Sequence, residues 1–355
     1  MKKSSTDILI IGAGISGLAI GYYLTQYNIP FKIVEARNRI GGRVYTKRVE
    51  KEASIELGAT WIANEHFQLK EVLKELNLVL FEQELGDYAV YEPTSMSPAK
   101  VVQLPPNNAP SYRVFGGTDR LTEKLGSKID GENILINQIV VTVTEEKDLL
   151  CVQTNKETFK CKELISTVPP HLFINSITFS PTLPSALLDV TNKTHTWMGE
   201  SIKVGLTYKK PFWKAKGTSG TIFSSVGPIP EMYDHSNKEE TLFALKGFFN
   251  GDYHSISREE RLAMVLEQLE KYYGGVVHDY SSYEEKVWKQ DEFTFEEYED
   301  TVFPHQNNGN DLYQESYLNG KLFLAGSETS PSHAGYMEGA IVSAQLIVKK
   351  LIGER

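Results

Sequence analysis

Cysteine is scarce: Cys151 and Cys161 are the only two in 355 residues. That excludes a disulfide-stapled scaffold. The pair falls in an expected hairpin and reads as two buried reduced thiols, although a hairpin can also bring such positions opposite each other. Long apolar runs are missing too, so no segment is expected to span a bilayer. Basic charge is not in excess, and a formal net charge of −9 argues against nucleic acid as a partner. No metal is expected. Met1-Lys2-Lys3 followed by an apolar run to Leu24 imitates a signal peptide. A glycine fingerprint lies inside that run, however, and cleavage would remove it. The segment is therefore read as a retained domain core, and the protein as cytoplasmic. With 41% hydrophobic and 23% charged residues, the chain has the balance of a globular protein with room for about two domains.

The glycines that are present are placed with purpose. Asp7 to Ile11 is an apolar strand followed by Gly12-Ala13-Gly14-Ile15-Ser16-Gly17 and a helix to about Tyr27. Asn28 and Pro30 end the helix, and Phe31 to Glu35 forms the next strand. This βαβ unit carries G-x-G-x-x-G at its turn and an acid, Glu35, at the end of its second strand. Gly12 and Gly14 allow a tight turn and close approach of a pyrophosphate, and Gly17 lets helix and strand pack. The helix start with Ser16 faces the phosphates, and Glu35 accepts hydrogen bonds from ribose hydroxyls. At the other end, Leu322 to Ala344 runs from an apolar strand through Gly326-Ser327-Glu328-Thr329 into Gly335-Tyr336-Met337-Glu338-Gly339-Ala340, which opens a helix to about Leu351. Glycines strip side chains from one face, so a flat or bulky group can approach the backbone. The helix start carries partial positive charge suited to an anion.

Glu35-Ala36-Arg37 with Gly41-Gly42-Arg43, and the C-terminal run around Tyr336, resemble the flavin-containing amine oxidases, the monoamine oxidase-like family. The resemblance covers both termini and the middle in patches. It implies an α/β fold in which a Rossmann-like FAD-binding domain (residues 1–85, 111–170 and 288–355) is interleaved with a smaller α+β substrate domain (86–110 and 171–287). It implies FAD rather than NAD, with Arg43 neutralising the pyrophosphate and Arg37 against the adenosine. Gly58-Ala59-Thr60-Trp61 would pass near the isoalloxazine, with Trp61 walling the substrate cavity. Val140 would contact adenine through its backbone, Trp288 would lie near the flavin, and Gly326, Glu328 and Met337 would complete the cofactor site. Neither cysteine matches the family's flavin-attachment position, so the FAD is expected to be non-covalent.

Lys203 matches the family lysine that holds a water against flavin N5. Strand alternation puts it on one face with Gly205 and Thr207, and Ile202, Val204 and Leu206 on the other. Tyr336 supplies one wall of an aromatic cage. Tyr298 has the spacing of the second, with Phe295 and Phe303 as alternatives. His333 stands where relatives usually place an aromatic. Six of the ten residues from Asp291 to Asp300 are acidic, which makes either a solvated loop or a field attracting a cationic amine. Residues 86–111 are proline-rich and read as a loop with at most a short extended piece. A long helical insertion occupies that place in the larger oxidases. The cavity is thus expected to be more open, or covered by the partner subunit of a homodimer.

The implied activity is oxidation of a small-molecule amine by hydride transfer from the α-carbon to flavin N5. An imine forms, then aldehyde and ammonia, while dioxygen is reduced to hydrogen peroxide. The alternatives on the same scaffold are another FAD-dependent oxidase or desaturase, a flavin-dependent isomerase, or a redox-silent FAD-binding protein.

Overall fold

The computed structural model describes residues 2–353. The strand Lys2–Ile11 lies between Phe31–Val34 on one side and Glu157–Ser166 on the other, parallel to both. Ile8, Leu9 and Ile10 have no exposed surface, as expected of a parallel strand covered on both faces. The sheet continues through Leu149–Thr154 and Val140–Glu146 to Thr178–Ser180, and Leu322–Leu324 adds to Glu157–Ser166 in parallel. The helices Ile15–Gln26 and Met337–Gly353 cover one face together, and the Ser16 hydroxyl donates to the Ala340 carbonyl at 3.0 Å. Both are apolar nearly all round, the pattern of a helix buried on most of its sides.

A second sheet of seven strands contains Ile202–Tyr208, flanked antiparallel by Phe243–Phe249 and Tyr280–Val287. One of its faces carries Ile202, Val204, Leu206, Leu245 and Phe249 and packs against Val265, Leu266 and Leu269 of the helix Arg258–Tyr273. That helix starts with the expected capping box, the Ser257 hydroxyl and the Glu260 carboxylate each capping the other's backbone N–H.

Two details depart from the sequence reading, and the cysteines, reduced as expected, depart only in that Cys151 is half-buried. The proline-rich stretch is not a plain loop. Tyr88–Glu92 and Lys100–Gln103 pair as a hairpin that closes one edge of the second sheet, and its outer strand, mostly exposed and carrying Lys100, is protected by charge rather than by cover. Thr178–Ser180 pairs with Val140–Glu146, so chain just beyond His171 belongs to the first sheet and not the second. The cysteines cannot bridge: Cys151 opposes Lys160 while Cys161 opposes Leu150, which puts the two thiols on opposite faces of the hairpin. Cys161 is buried, and burial pushes its thiol up to about 12, whereas Cys151 is only half-buried. Among the described residues, no helix is long and apolar enough to cross a membrane.

Candidate active site

A cavity of about 930 Å³ runs from the N-terminal glycine turn to the second sheet, at the upper end of the usual range for small-molecule sites. Gly12, Gly14, Ser16, Glu35, Ala36, Arg37, Gly42, Arg43 and Val140 line one part of it. Gly58, Ala59, Thr60, Trp61, Lys203, Trp288, Gly326, Tyr336 and Met337 line the rest.

The glycine turn is built to admit a bulky group. Gly12 has φ +102° and Gly42 φ +56°, and a Cβ on Gly42 would stand 3.1 Å from the Gly14 Cα. No side chain caps the helix that begins at Ile15, so its first N–H groups remain available to an anion. The Glu35 carboxylate is held in place by the backbone N–H groups of Ala13 (2.7 Å) and Arg37 (2.9 Å). These features fit the pyrophosphate and ribose of a dinucleotide. Gly17 does not line the cavity. Its added Cβ would meet the Gly12 carbonyl oxygen at 1.9 Å, the packing role expected of a third glycine. Gly17→Ala is therefore expected to destabilise the fold by about 3 kcal/mol, the upper end for overpacking, as read by urea denaturation.

Arg37 and Arg43 both carry structural duties. Arg37 is paired with Asp291 and donates to the Thr294 hydroxyl at 2.7 Å, tying the acidic segment to the turn. Asp291 also accepts from Lys286 at 2.7 Å, while Glu292 and Glu296 of the same segment face the cavity. Arg43 grips Glu328 with two bonds of 2.5 and 2.8 Å, donates to the Trp197 carbonyl, and bonds the Ser327 hydroxyl. Glu328 is buried and does not line the cavity. It holds Arg43 and the Trp197 backbone N–H (3.1 Å) in position. Burial by itself would raise the Glu328 carboxyl, but the adjacent guanidinium outweighs it and leaves the group below the ordinary range.

Lys203 points from the second sheet into the cavity, and its ammonium donates to the Gly58 carbonyl at 2.6 Å. Only 5% of the residue is exposed, and burial pushes its amine down to about 8 against the pull of Glu56 and Glu231. Trp288 anchors the same loop by donating from Nε1 to the Leu57 carbonyl at 2.8 Å. Tyr336 stands just ahead of the C-terminal helix, whose start provides partial positive charge.

The expected second cage aromatic is not where its spacing put it. The Tyr298 ring packs on His171 (4.4 Å) and Phe295 (5.6 Å), its hydroxyl accepts from the Thr196 N–H, and it does not line the cavity. Phe303 is 68% exposed, which removes it as well. The rings around Tyr336 are Trp197 at 5.6 Å, His305 at 5.8 Å and His66 at 5.9 Å. His305 stacks on Trp197 at 3.9 Å, and Gly335 gives the Trp197 ring its room. Sequence reasoning missed Trp197, and also missed Glu231, Phe248 and Lys246. The available signal for Lys246 was a lone lysine inside the apolar run Phe243–Phe249.

The sequence profile described as flavin containing amine oxidoreductase matches residues 15–114 and 97–352. A probable flavin-containing monoamine oxidase A of Dictyostelium discoideum is 24% identical, the alignment covering 97% of each chain. That alignment occupies 451 positions, so the relative carries segments this chain lacks. Flavin-containing amine oxidase B of Mus musculus is 22% identical over 99% of this chain and 86% of its own. Among solved structures, putrescine oxidase bound to putrescine superposes with a TM-score of 0.86 at 21% identity, covering 99% of this chain and 100% of that one. Cyclohexylamine oxidase from Brevibacterium oxydans does so with a TM-score of 0.86 at 20% identity, covering 98% and 99%.

Proposed function

Because the chain belongs to the flavin-containing amine oxidoreductase family, we propose that it is an FAD-dependent oxidase of amines that holds its FAD without a covalent link. The observation that carries this reading is Lys203, a buried amine on the same cavity as Tyr336 and the glycine turn. Among the described residues lining the cavity there is no cysteine, which favours non-covalent FAD. Bound FAD would take a hydride equivalent from the amine α-carbon and pass it to dioxygen, releasing an imine and hydrogen peroxide.

The chain's own residues divide the remaining work. Gly12, Gly14 and the helix start at Ile15 would hold the pyrophosphate, and Glu35 would hold a ribose. The Gly58–Trp61 loop and the helix start after Tyr336, which line the cavity together, would hold the ring system and supply partial positive charge to it. Lys203 presents a charged N–H to a water or to oxygen at the cavity. Glu231, Glu292 and Glu296 give the cavity an acidic lining that favours a cationic substrate. Tyr336 and Trp197 provide the aromatic wall beside which the amine is oriented, replacing the Tyr336–Tyr298 pair expected from spacing.

The test is an anaerobic absorbance spectrum of the purified protein titrated with a panel of amines. Bleaching by an amine, reversed by air with peroxide release, is the expected result. A flavin band indifferent to every amine would favour a desaturase, an isomerase or a redox-silent protein, and no flavin band after reconstitution would overturn the cofactor assignment.

A further inference from the structure

The face of the second sheet that looks towards the Gly58–Trp61 loop carries a second lysine. Register fixes the pattern: Lys203 pairs with Phe248 and Phe248 with Glu231, while Gly205 pairs with Lys246 and Lys246 with Tyr233. Lys203 and Lys246 are thus diagonal neighbours on one face of adjacent strands, about 7–8 Å apart at the backbone. Gly205, opposite Lys246, leaves room that the Ile55 side chain enters.

Lys246 has no exposed surface. Its Nζ donates to the Thr60 hydroxyl and lies 4.5 Å from the Trp61 ring centroid. Thr60 in turn donates to the Gly58 carbonyl (3.2 Å), the same oxygen that Lys203 binds. Neither lysine makes an ion pair among the described residues, an unusual state for a buried lysine. The charged groups facing Lys246 come from every element packed on it. Lys203 and Arg113 are basic. Glu56 and Glu231 are acidic, but Glu231 accepts from the Tyr233 hydroxyl (2.5 Å), and Glu56 is buried against the Thr118 N–H (2.6 Å) and His235. Arg113 bonds His235 Nδ1 at 2.8 Å, and burial together with that guanidinium keeps His235 neutral. Burial first, and the charge on Lys203 next, drive the Lys246 amine well below its ordinary range.

We propose that Lys246, fully buried and without an ion-pair partner among the described residues, is the proton reservoir of this site, taking up one proton through the Thr60 hydroxyl when reduction of the flavin brings negative charge into the cavity. The inference rests on the flavin part of the function proposed above and extends it. Thr60 borders the cavity, and its hydroxyl hydrogen swings from the Gly58 carbonyl to the Lys246 Nζ lone pair as its oxygen takes a hydrogen from the cavity side. With an amine substrate, the N–H bond broken is one of the substrate ammonium's. The hydride, with its electron pair, leaves the α-carbon for the flavin. Dioxygen then receives that electron pair and one hydrogen from the flavin, and the proton from Lys246, giving hydrogen peroxide and restoring the neutral lysine. The sum is R–CH2–NH3+ + O2 → R–CH=NH2+ + H2O2, balanced in atoms and charge. Lys246 does not line the cavity and acts through Thr60, which does, so it is a positioning residue for the proton and not a catalytic one.

The pH dependence of the flavin midpoint potential, measured without any amine, counts protons taken up on reduction. Near neutral pH the wild-type holoprotein is expected to take up about one proton more per two-electron reduction than Lys246→Met. Equal uptake in the two proteins would overturn the proposal. Replacing a buried unpaired lysine by methionine is expected to preserve or raise stability, and Lys246→Gln provides a second variant. Carbon NMR of Cε-labelled lysine in the flavin-free protein gives an independent readout: the resonance lost in either variant should sit at the neutral-amine position at neutral pH, and a charged position would refute the resting state. A flavin that no amine bleaches but whose proton uptake falls in Lys246→Met would keep this inference and sink the amine oxidase reading. Bleaching by amines with unchanged proton uptake would do the reverse.

Discussion

Lys203→Met is expected to slow the return of oxidised flavin in air by on the order of 10²-fold, the loss typical when one preorganised donor is removed from a low-dielectric site. Methionine matches the lysine stem in length and apolar contact, so the loop carrying Gly58 keeps its packing and only the charged N–H is lost. Stopped-flow mixing of pre-reduced protein with oxygenated buffer measures the step without involving amine binding. The pH dependence has a definite sign. Burial brings the Lys203 amine down to about 8, so its charged form prevails below that pH. Reoxidation should therefore slow as pH rises through about 8 in the wild type and stay flat in Lys203→Met. An unchanged reoxidation rate would remove Lys203 from the chemistry and leave it a strand residue bonded to a carbonyl.

The second large effect is on stability. Arg43 is the residue that ties Glu328, Ser327 and Trp197 together across the cavity, and Glu328 is 1% exposed. Removing one partner of such a pair leaves an uncompensated buried charge. Arg43→Met should destabilise the protein by about 3 kcal/mol, the low end of the range for broken buried pairs because Arg43 is itself partly exposed. Glu328→Gln should cost less, since the amide keeps the shape and Arg43 reaches solvent. The Glu328 carboxyl lies below its ordinary value of 4.5, so its contribution is present above that pH and is lost as pH falls through the lower folded-state value. Urea denaturation of wild type and Glu328→Gln at neutral and acid pH checks both points. The gap between them should close on acidification, and a gap independent of pH would refute the assignment.

Local pattern alone identified the βαβ unit with its glycine turn, the C-terminal strand, glycines and helix, and the alternation of the strand that carries Lys203, whose singling out came from the family resemblance. Each depends on a short-range rule: a glycine where a Cβ would collide, an apolar strand, a helix start, a period of two. Gly17 against the Gly12 carbonyl and the capping box at Ser257 are cases where residues a few positions apart settle the outcome. The proline-rich stretch escapes local pattern because its hairpin is stabilised by pairing with Ile222–Ser224, more than a hundred residues away. The place of Tyr298, packed on His171 and Phe295, escapes local pattern for a related reason. Counting residues along an irregular segment fixes neither its path nor the direction of a ring, and Arg37 holding Asp291 and Thr294 sets that path.

What the sequence by itself determined is the family and the glycine turn after the first strand, because those are written in contiguous residues, while Lys203 was picked out by its match to the family. The tertiary structure alone decided which aromatic faces Tyr336 and that Lys246 lies beside Lys203. Trp197 reaches Tyr336 only because Gly335 yields space and the Arg43–Glu328 pair pins the Trp197 backbone. Lys246 and Lys203 meet only through the register of two strands, and a shift of one residue would have turned Lys246 towards the apolar core on the other face.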